Sequence, residues 1–181
     1  MNIRLSHFCA GTEGLWAVRD IRTIRGASLP AAERLHIADG DGSPSGNWTL
    51  RGVRSNARYT TSEEKAQLEA RQEGLGRRDS TLAAHIPIKK NEAWWQLSQD
   101  QRRQIFEEQS KHTSVGLQYL PAIARRLYHC RDLNTAEPFD FLTWFEFSPD
   151  HERDFDDLLL HLCTSSEWDY VEREVDIRLV R

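Results

Sequence analysis

Residues 139–147 read FDFLTWFEF. In an extended chain Phe139, Phe141, Thr143, Phe145 and Phe147 fall on one face, because side chains alternate along a strand. An aromatic face of that size has to be covered, and the residues that follow supply a cover. Ser148-Pro149-Asp150 is a helix start with proline at the first helical position. Behind it Phe155, Leu158, Leu159 and Leu162 form an apolar stripe at helical spacing. DYVEREVDIRLVR (169–181) alternates again, placing Val171, Val175, Ile177 and Leu179 on one side. Upstream, Ser98-Gln99-Asp100-Gln101 fits a capping box and predicts a helix from Ser98 to about Tyr119 or Leu120, where Pro121 interrupts it. The order helix, strand, helix, strand predicts an antiparallel sheet with helices on one face, an α+β fold.

The first half is patterned in a similar way. IRLSHF and LWAVRDIRTIRG read as strands around the turn Gly11-Thr12-Glu13-Gly14. ADGDGSPSGN (38–47) is a turn cluster. Its Asp39-Gly40-Asp41-Gly42 resembles the start of a calcium loop, but Leu50 stands where the twelfth-position acid belongs, so it reads as a loop. NWTLRGVR (47–54) is a strand. TTSEEKAQLEARQEGLG (60–76) is a helix, capped by Thr60, Thr61 or Ser62 and stopped at Gly74 or Gly76. HIPIKK (85–90) is a short extended piece. The echo between the two parts hints at two similar halves, although no sequence repeat proves it.

Composition excludes several classes. A chain of 181 residues suits one compact domain, or two half-domains sharing a core. The net charge is -4 and the 24 Lys and Arg are interleaved with acids, which argues against nucleic acid as a partner. Cys9, Cys130 and Cys163 are widely spaced and odd in number, so no disulfide framework is expected and a reducing compartment is. No stretch approaches the ~20 apolar residues of a membrane span. The start lacks the apolar run of a signal peptide. A soluble cytoplasmic protein is the expectation. Six tryptophans are many for this length, and Trp94 and Trp95 are adjacent. Tryptophan packs cores and also lines slots for flat ligands.

One histidine stands out. In KHTSVGLQYLPAIARR (111–126), His112 shares the apolar face of the 98–120 helix with Ile105, Gln109, Gly116 and Tyr119. Gly116 removes a side chain one turn away and leaves room for something flat. Three readings stay open on these residues alone: a core histidine bonded to a neighbour, a zinc ligand, or an axial ligand to heme iron. His129-Cys130 and His161-x-Cys163 supply no ligand set with zinc spacing. Thirteen residues separate His112 from Arg125. One straight helix would hold them ~20 Å apart, but the break at Pro121 allows Arg125 to return over the site that His112 serves.

From about residue 47 onward the chain resembles the chlorite dismutases, most closely their short, dimeric, cytoplasmic branch. The resemblance rests on KKNEAWW (89–95), KHTSVGLQYLPAIARRLYHC (111–130), FDFLTWFEF (139–147) and SSEWDYVEREVDIRL (165–179). It implies one domain over 1–181, built from two ferredoxin-like halves whose antiparallel sheets form a β-barrel core with helices outside, a dimeric α+β barrel. The N-terminal half, about 1–84, would be shortened, and about 85–181 would bind heme. The implied activity is conversion of chlorite to chloride and dioxygen, with O–O bond formation at the iron of a non-covalent heme b, in a homodimer. Cys-x-x-Cys-His is absent, so covalent attachment is not expected.

Carried over by position, the resemblance makes His112 the proximal iron ligand and Glu167 the acceptor on its other nitrogen, with Lys90 in the same network. Trp94 and Trp95 would line the heme slot. Arg125 would stand over the open face of the heme as the catalytic arginine, with Arg126 as the neighbouring alternative. Leu127, Thr143 and Phe145 would line that face. Asn56 and Tyr59 would bond the propionates, and Gln72 would lie at the distal entrance. The related coproheme decarboxylases carry glutamine where Arg125 stands, so an arginine here favours chlorite. Rival expectations are a peroxidase-like heme enzyme, a heme carrier or sensor, and a cofactor-free interaction module on the same fold.

Overall fold

A computed structural model of the chain describes residues 4–40, 42, 45–54 and 58–181. Asn56 and Asp41 lie outside the described residues. Eight strands are present among the described residues: β1 (Arg4–Gly11), β2 (Trp16–Arg25), β3 (Arg34–Asp39), β4 (Trp48–Arg54), β5 (Leu82–Lys90), β6 (Ala124–His129), β7 (Phe141–Phe147) and β8 (Val171–Val180). They close into a barrel in the order β1-β3-β2-β8-β5-β7-β6-β4, and β4 returns to β1. Every ladder is antiparallel. The expected α+β barrel with helices outside is therefore the observed fold.

Alternation along the strands divides two apolar layers. Phe8, Trp16, Leu35, Trp144, Val175 and Ile177 fill the barrel interior. Ala84, Ile86, Phe145, Phe147 and Trp168 point the other way, towards the helices Phe155 and Leu158 come from. β5 is buried on nearly every residue, because the interior covers one face and helices cover the other. Its ladder with β8 skips Ile86 and Pro87, where proline has no N–H to give.

Five α-helices are described: α1 (Ser62–Arg71), α2 (Glu92–Gln96), α3 (Gln99–Arg103), α4 (His112–Gln118) and α5 (Glu152–Cys163). Thr61 caps α1 in a reciprocal box with Glu64, and Ser98 and Gln101 form the expected box on α3. Phe155, Leu158 and Leu162 are the buried stripe of α5.

Several expectations are corrected. The single helix expected over 98–120 is three pieces: α3, a π-helical segment Gln104–Gln109, and α4. Lys111 takes a left-handed conformation (φ 54°) between the last two, and that breaks the helix ten residues before Pro121 does. α1 ends at Arg71, short of Gly74. The strand β3 and helix α2 were hidden inside segments too short to show a period. Phe139 does not share the outward face of Phe145 and Phe147; it sits in the barrel interior, ahead of β7. Val171 parts company with Val175, Ile177 and Leu179 and joins the outer layer. The cause is the register shift at Lys89/Lys90 in the β5–β8 ladder.

The seam between β4 and β6 is, with that between β2 and β3, one of the two shortest among the described residues, with register partners at Val53–His129 and Arg54–Tyr128. Gly52 precedes it. A Cβ there would lie 2.9 Å from the Cβ of Tyr128, which is rigid backbone-borne volume. Gly52→Ala is expected to destabilise the fold by about 1–3 kcal/mol through overpacking, read as a lower urea midpoint; an unchanged midpoint would show that the seam can open at no cost.

Candidate functional site

Between the outer face of β5, β6 and β7 and the helices lies a cavity of about 960 Å³. The strands provide an apolar floor: Ile86 and Ile88 from β5, Leu127 from β6, Thr143 and Phe145 from β7. The register explains the grouping. Arg125 pairs with Phe145 and Leu127 with Thr143 across β6 and β7, so all four side chains leave the sheet on the same side. Arg126 pairs with Trp144 and Tyr128 with Leu142 on the other side of the sheet, although Arg126 also lines the cavity.

His112 is the first residue of α4 and lines the opposite wall. Its Nδ1 lies 2.7 Å from a carboxylate oxygen of Glu167, which fixes the tautomer: Nδ1–H donates, and Nε2 makes no hydrogen bond among the described residues. The other oxygen of Glu167 accepts from Lys90 Nζ at 2.8 Å. Lys90 and Glu167 are both buried. Burial alone would push the Glu167 carboxyl up, but the charges of His112 and Lys90 and their hydrogen bonds hold it well below the usual carboxylate range. Lys90 Nζ also sits over the rings of Trp94 (4.6 Å) and Trp168 (5.3 Å).

The imidazole is clamped by two aromatic rings. Phe106 stacks on it at 4.3 Å and Trp168 lies nearly parallel at 6.2 Å. Neither was singled out in the sequence. Trp168 directly follows Glu167, and that adjacency was its signal. Phe106 had none, since only the π-helical segment brings it over the ring.

Arg125 lines the cavity, and among the described residues no carboxylate pairs with it. Burial pushes its pKa down from the usual value, yet an arginine starts so high that it stays charged. Its guanidinium lies against Gly116; a Cβ there would come within 2.3 Å of Nη1. The space opposite Gly116 is thus occupied by the guanidinium. Gln72, the residue after α1, donates to the backbone carbonyl of Arg125, so this residue does stand beside the arginine.

Of the other expected site residues, Trp94 lines the cavity, buried, with Nε1 lacking a partner among the described residues. Tyr59 lines it too, edge-on to Trp94 at 5.7 Å. Trp95 does not; it stacks on Phe141 and carries Arg131 over its ring at 4.0 Å. The lining also includes Arg54, Arg58 and Lys65, cations the sequence reading did not pick out.

One large cavity holds an imidazole bound to a buried carboxylate and an arginine with no carboxylate partner among the described residues, which narrows the comparison. The chlorite dismutase family model matches residues 33–180. The chain belongs to the chlorite dismutase family. A dimeric chlorite dismutase from Nitrobacter winogradskyi is 53% identical over 97% of this chain and 99% of that one, with a TM-score of 0.91. The chlorite dismutase of Ideonella dechloratans is 40% identical over 65 residues, which is 36% of this chain and only 21% of that relative's length. The chlorite dismutase of Candidatus Nitrospira defluvii, solved with imidazole, shares the fold at 20% identity and a TM-score of 0.65, covering 100% of this chain and 93% of that one. No helix among the described residues is long and apolar enough to cross a membrane.

Because the folded-state pKa of Glu167 is depressed, the carboxylate's stabilising contribution is complete above its unfolded value of about 4.5. It is lost as pH falls through the lower folded value. Lys90→Met removes one of the two cations while burial persists, so the folded pKa rises. Acid unfolding followed by circular dichroism is expected to begin at higher pH in Lys90→Met than in the parent; coincident curves would remove this ion pair from the acid stability.

Proposed function

We propose that the cavity binds heme b non-covalently through His112 and that the protein converts chlorite to chloride and dioxygen. The observation that carries this is that one cavity holds both a Glu167-bound imidazole and a half-buried Arg125 with no carboxylate partner among the described residues. The residues fit the group. The slot is apolar and large enough for a porphyrin. The buried Trp94 N–H lacks an acceptor among the described residues, and Arg54, together with Arg58 and Lys65, which pair with Asp132 and Glu69, places cations in the lining for propionates. Asn56 and Tyr59 are the other proposed propionate partners.

His112 would present Nε2 to the iron. Glu167 keeps the ring in the right tautomer and raises its basicity, and Lys90 holds Glu167 ionised. Bound there, heme supplies the iron at which chlorite yields an oxygen atom and the O–O bond is made. Arg125 attracts the anion into the slot and orients it. Arg125 also holds the hypochlorite fragment until it recombines. Leu127 and Phe145 exclude water that would screen that hold. Gln72 fixes the strand at Arg125. The family and the Nitrobacter relative described as dimeric support a homodimer, and a cytoplasmic location is proposed with it.

Hemin-loaded protein is expected to release oxygen from chlorite at an electrode. Arg125→Ala should retain hemin yet lose roughly 100-fold or more in turnover and bleach faster as hypochlorite escapes. Equal turnover in the variant would remove Arg125 from catalysis, while hemin uptake without oxygen release would leave a peroxidase-like enzyme or a carrier.

Glu167→Gln weakens the acceptor on Nδ1 and makes the imidazole less basic. The ferric/ferrous potential is expected to rise in that variant, as read by redox titration; an unchanged potential would detach Glu167 from the ligand.

A further inference from the structure

Glu107 lies on the π-helical segment and is buried. Its carboxylate accepts from Thr113 N–H at 2.6 Å, from Ser114 N–H at 3.2 Å and from the Ser114 hydroxyl. Those two amides belong to the first turn of α4. Helix starts leave such donors without intrahelical partners, and the usual remedy is a short polar side chain at the position before the helix. Lys111 occupies that position here, in a left-handed conformation with no side-chain cap bond. Glu107 supplies the missing acceptor from the preceding segment.

His112 is the residue this arrangement fixes. It is the first residue of α4, directly before the two capped amides. The same segment reaches the site twice more. Phe106, beside Glu107, stacks on the imidazole. Ser110, just past the segment, accepts from the backbone N–H of Glu167 at 2.9 Å. One stretch of chain therefore touches the ring, the helix that carries it and the backbone of the residue whose carboxylate orients it. A regular α-helical ladder would turn by ~100° per residue through this stretch. The i→i−5 bond from Ser110 N–H to the Ile105 carbonyl shows the wider π geometry instead.

We propose that Glu107 is a positioning residue for His112: by capping α4 from the π-helical segment it sets the angle at which Nε2 meets the iron. This rests on His112 being the iron ligand. The test uses hemin-loaded protein and two readouts other than turnover. These are the rate of hemin transfer to excess apomyoglobin and the iron–histidine stretching band of the ferrous protein by resonance Raman. Glu107→Ala is expected to release hemin roughly 10–100-fold faster, the range for losing a group that orients a metal ligand, and to shift or broaden the band. Glu107→Gln keeps one acceptor oxygen and should fall between, and it carries the test if the alanine variant does not fold. Ile177→Val, in the barrel interior away from the cavity, is the control for mere loss of stability and should leave both readouts at parental values. Parental rate and band in both Glu107 variants overturn the proposal, as does an Ile177→Val change equal to theirs. His112→Ala separates the two layers. If it releases hemin fast while the Glu107 variants do not, the proposal alone falls; if it holds hemin at the parental rate, the ligand assignment falls first and the role of Glu107 with it.

Discussion

A carboxylate buried in an apolar layer needs a countercharge, and in this protein Lys90 supplies one beside His112. Lys90 Nζ and His112 Nδ1 take opposite oxygens of Glu167. Without the ammonium, burial would favour a protonated Glu167, and a protonated acid is a poorer acceptor for Nδ1–H. The strand β5 ends at Lys90, the 3-10 turn Ser166–Tyr170 carries Glu167, and α4 starts at His112. Three elements far apart in sequence are thus tied through one carboxylate. Removing any one partner strands the others in a low-dielectric layer, where an unpaired charge is costly.

The barrel makes that layer possible. Its interior is filled by Phe8, Trp16, Leu35 and Trp144, so it is a packed scaffold with no room for a ligand. The cavity lies outside, on a strand face that would be exposed if the helices did not stand over it. That placement puts the floor on rigid strands and the imidazole on a short helix. Arg125 and His112 arrive from these two different layers: Gln72 bonds the backbone of Arg125, and Glu107 bonds the amides of Thr113 and Ser114, just after His112.

What the sequence disclosed follows from this division. Alternation along β7 and the stripe of α5 were legible because each is long and buried on a defined face. His112, Glu167, Lys90, Arg125 and Leu127 were named by resemblance, and the structure brings all five to one cavity. Thr143 and Phe145 joined them through strand alternation as well. The helix break at Lys111 was not legible, because lysine is an ordinary helix former and its left-handed backbone is imposed by tertiary contacts. The roles of Phe106, Glu107 and Ser110 depend on that break, so they were hidden with it. Trp95 was named with Trp94 by resemblance, but neighbours on a helix diverge by ~100°, and Trp95 stacks on Phe141 instead. Gly116 was read as room for a flat group, and the flat group against it is the guanidinium of Arg125.

The two faces of the cavity carry opposite electrostatic designs. On the His112 side, charges cancel within Lys90, Glu167 and the imidazole, so the field at Nε2 is set by a local, nearly neutral cluster. On the Arg125 side nothing cancels: the guanidinium is half-buried and has no carboxylate partner among the described residues. An uncompensated cation in a low-dielectric slot is unfavourable for the ligand-free protein and favourable for an anion that enters it. The same burial that weakens the resting state strengthens the grip on a small anion, and Arg54, Arg58 and Lys65 elsewhere in the lining add to the attraction. A core that served stability alone would have paired or removed that charge. Its survival beside Leu127 and Phe145, with only Gly116 opposite it, is the feature on which the proposed hold on an anion rests.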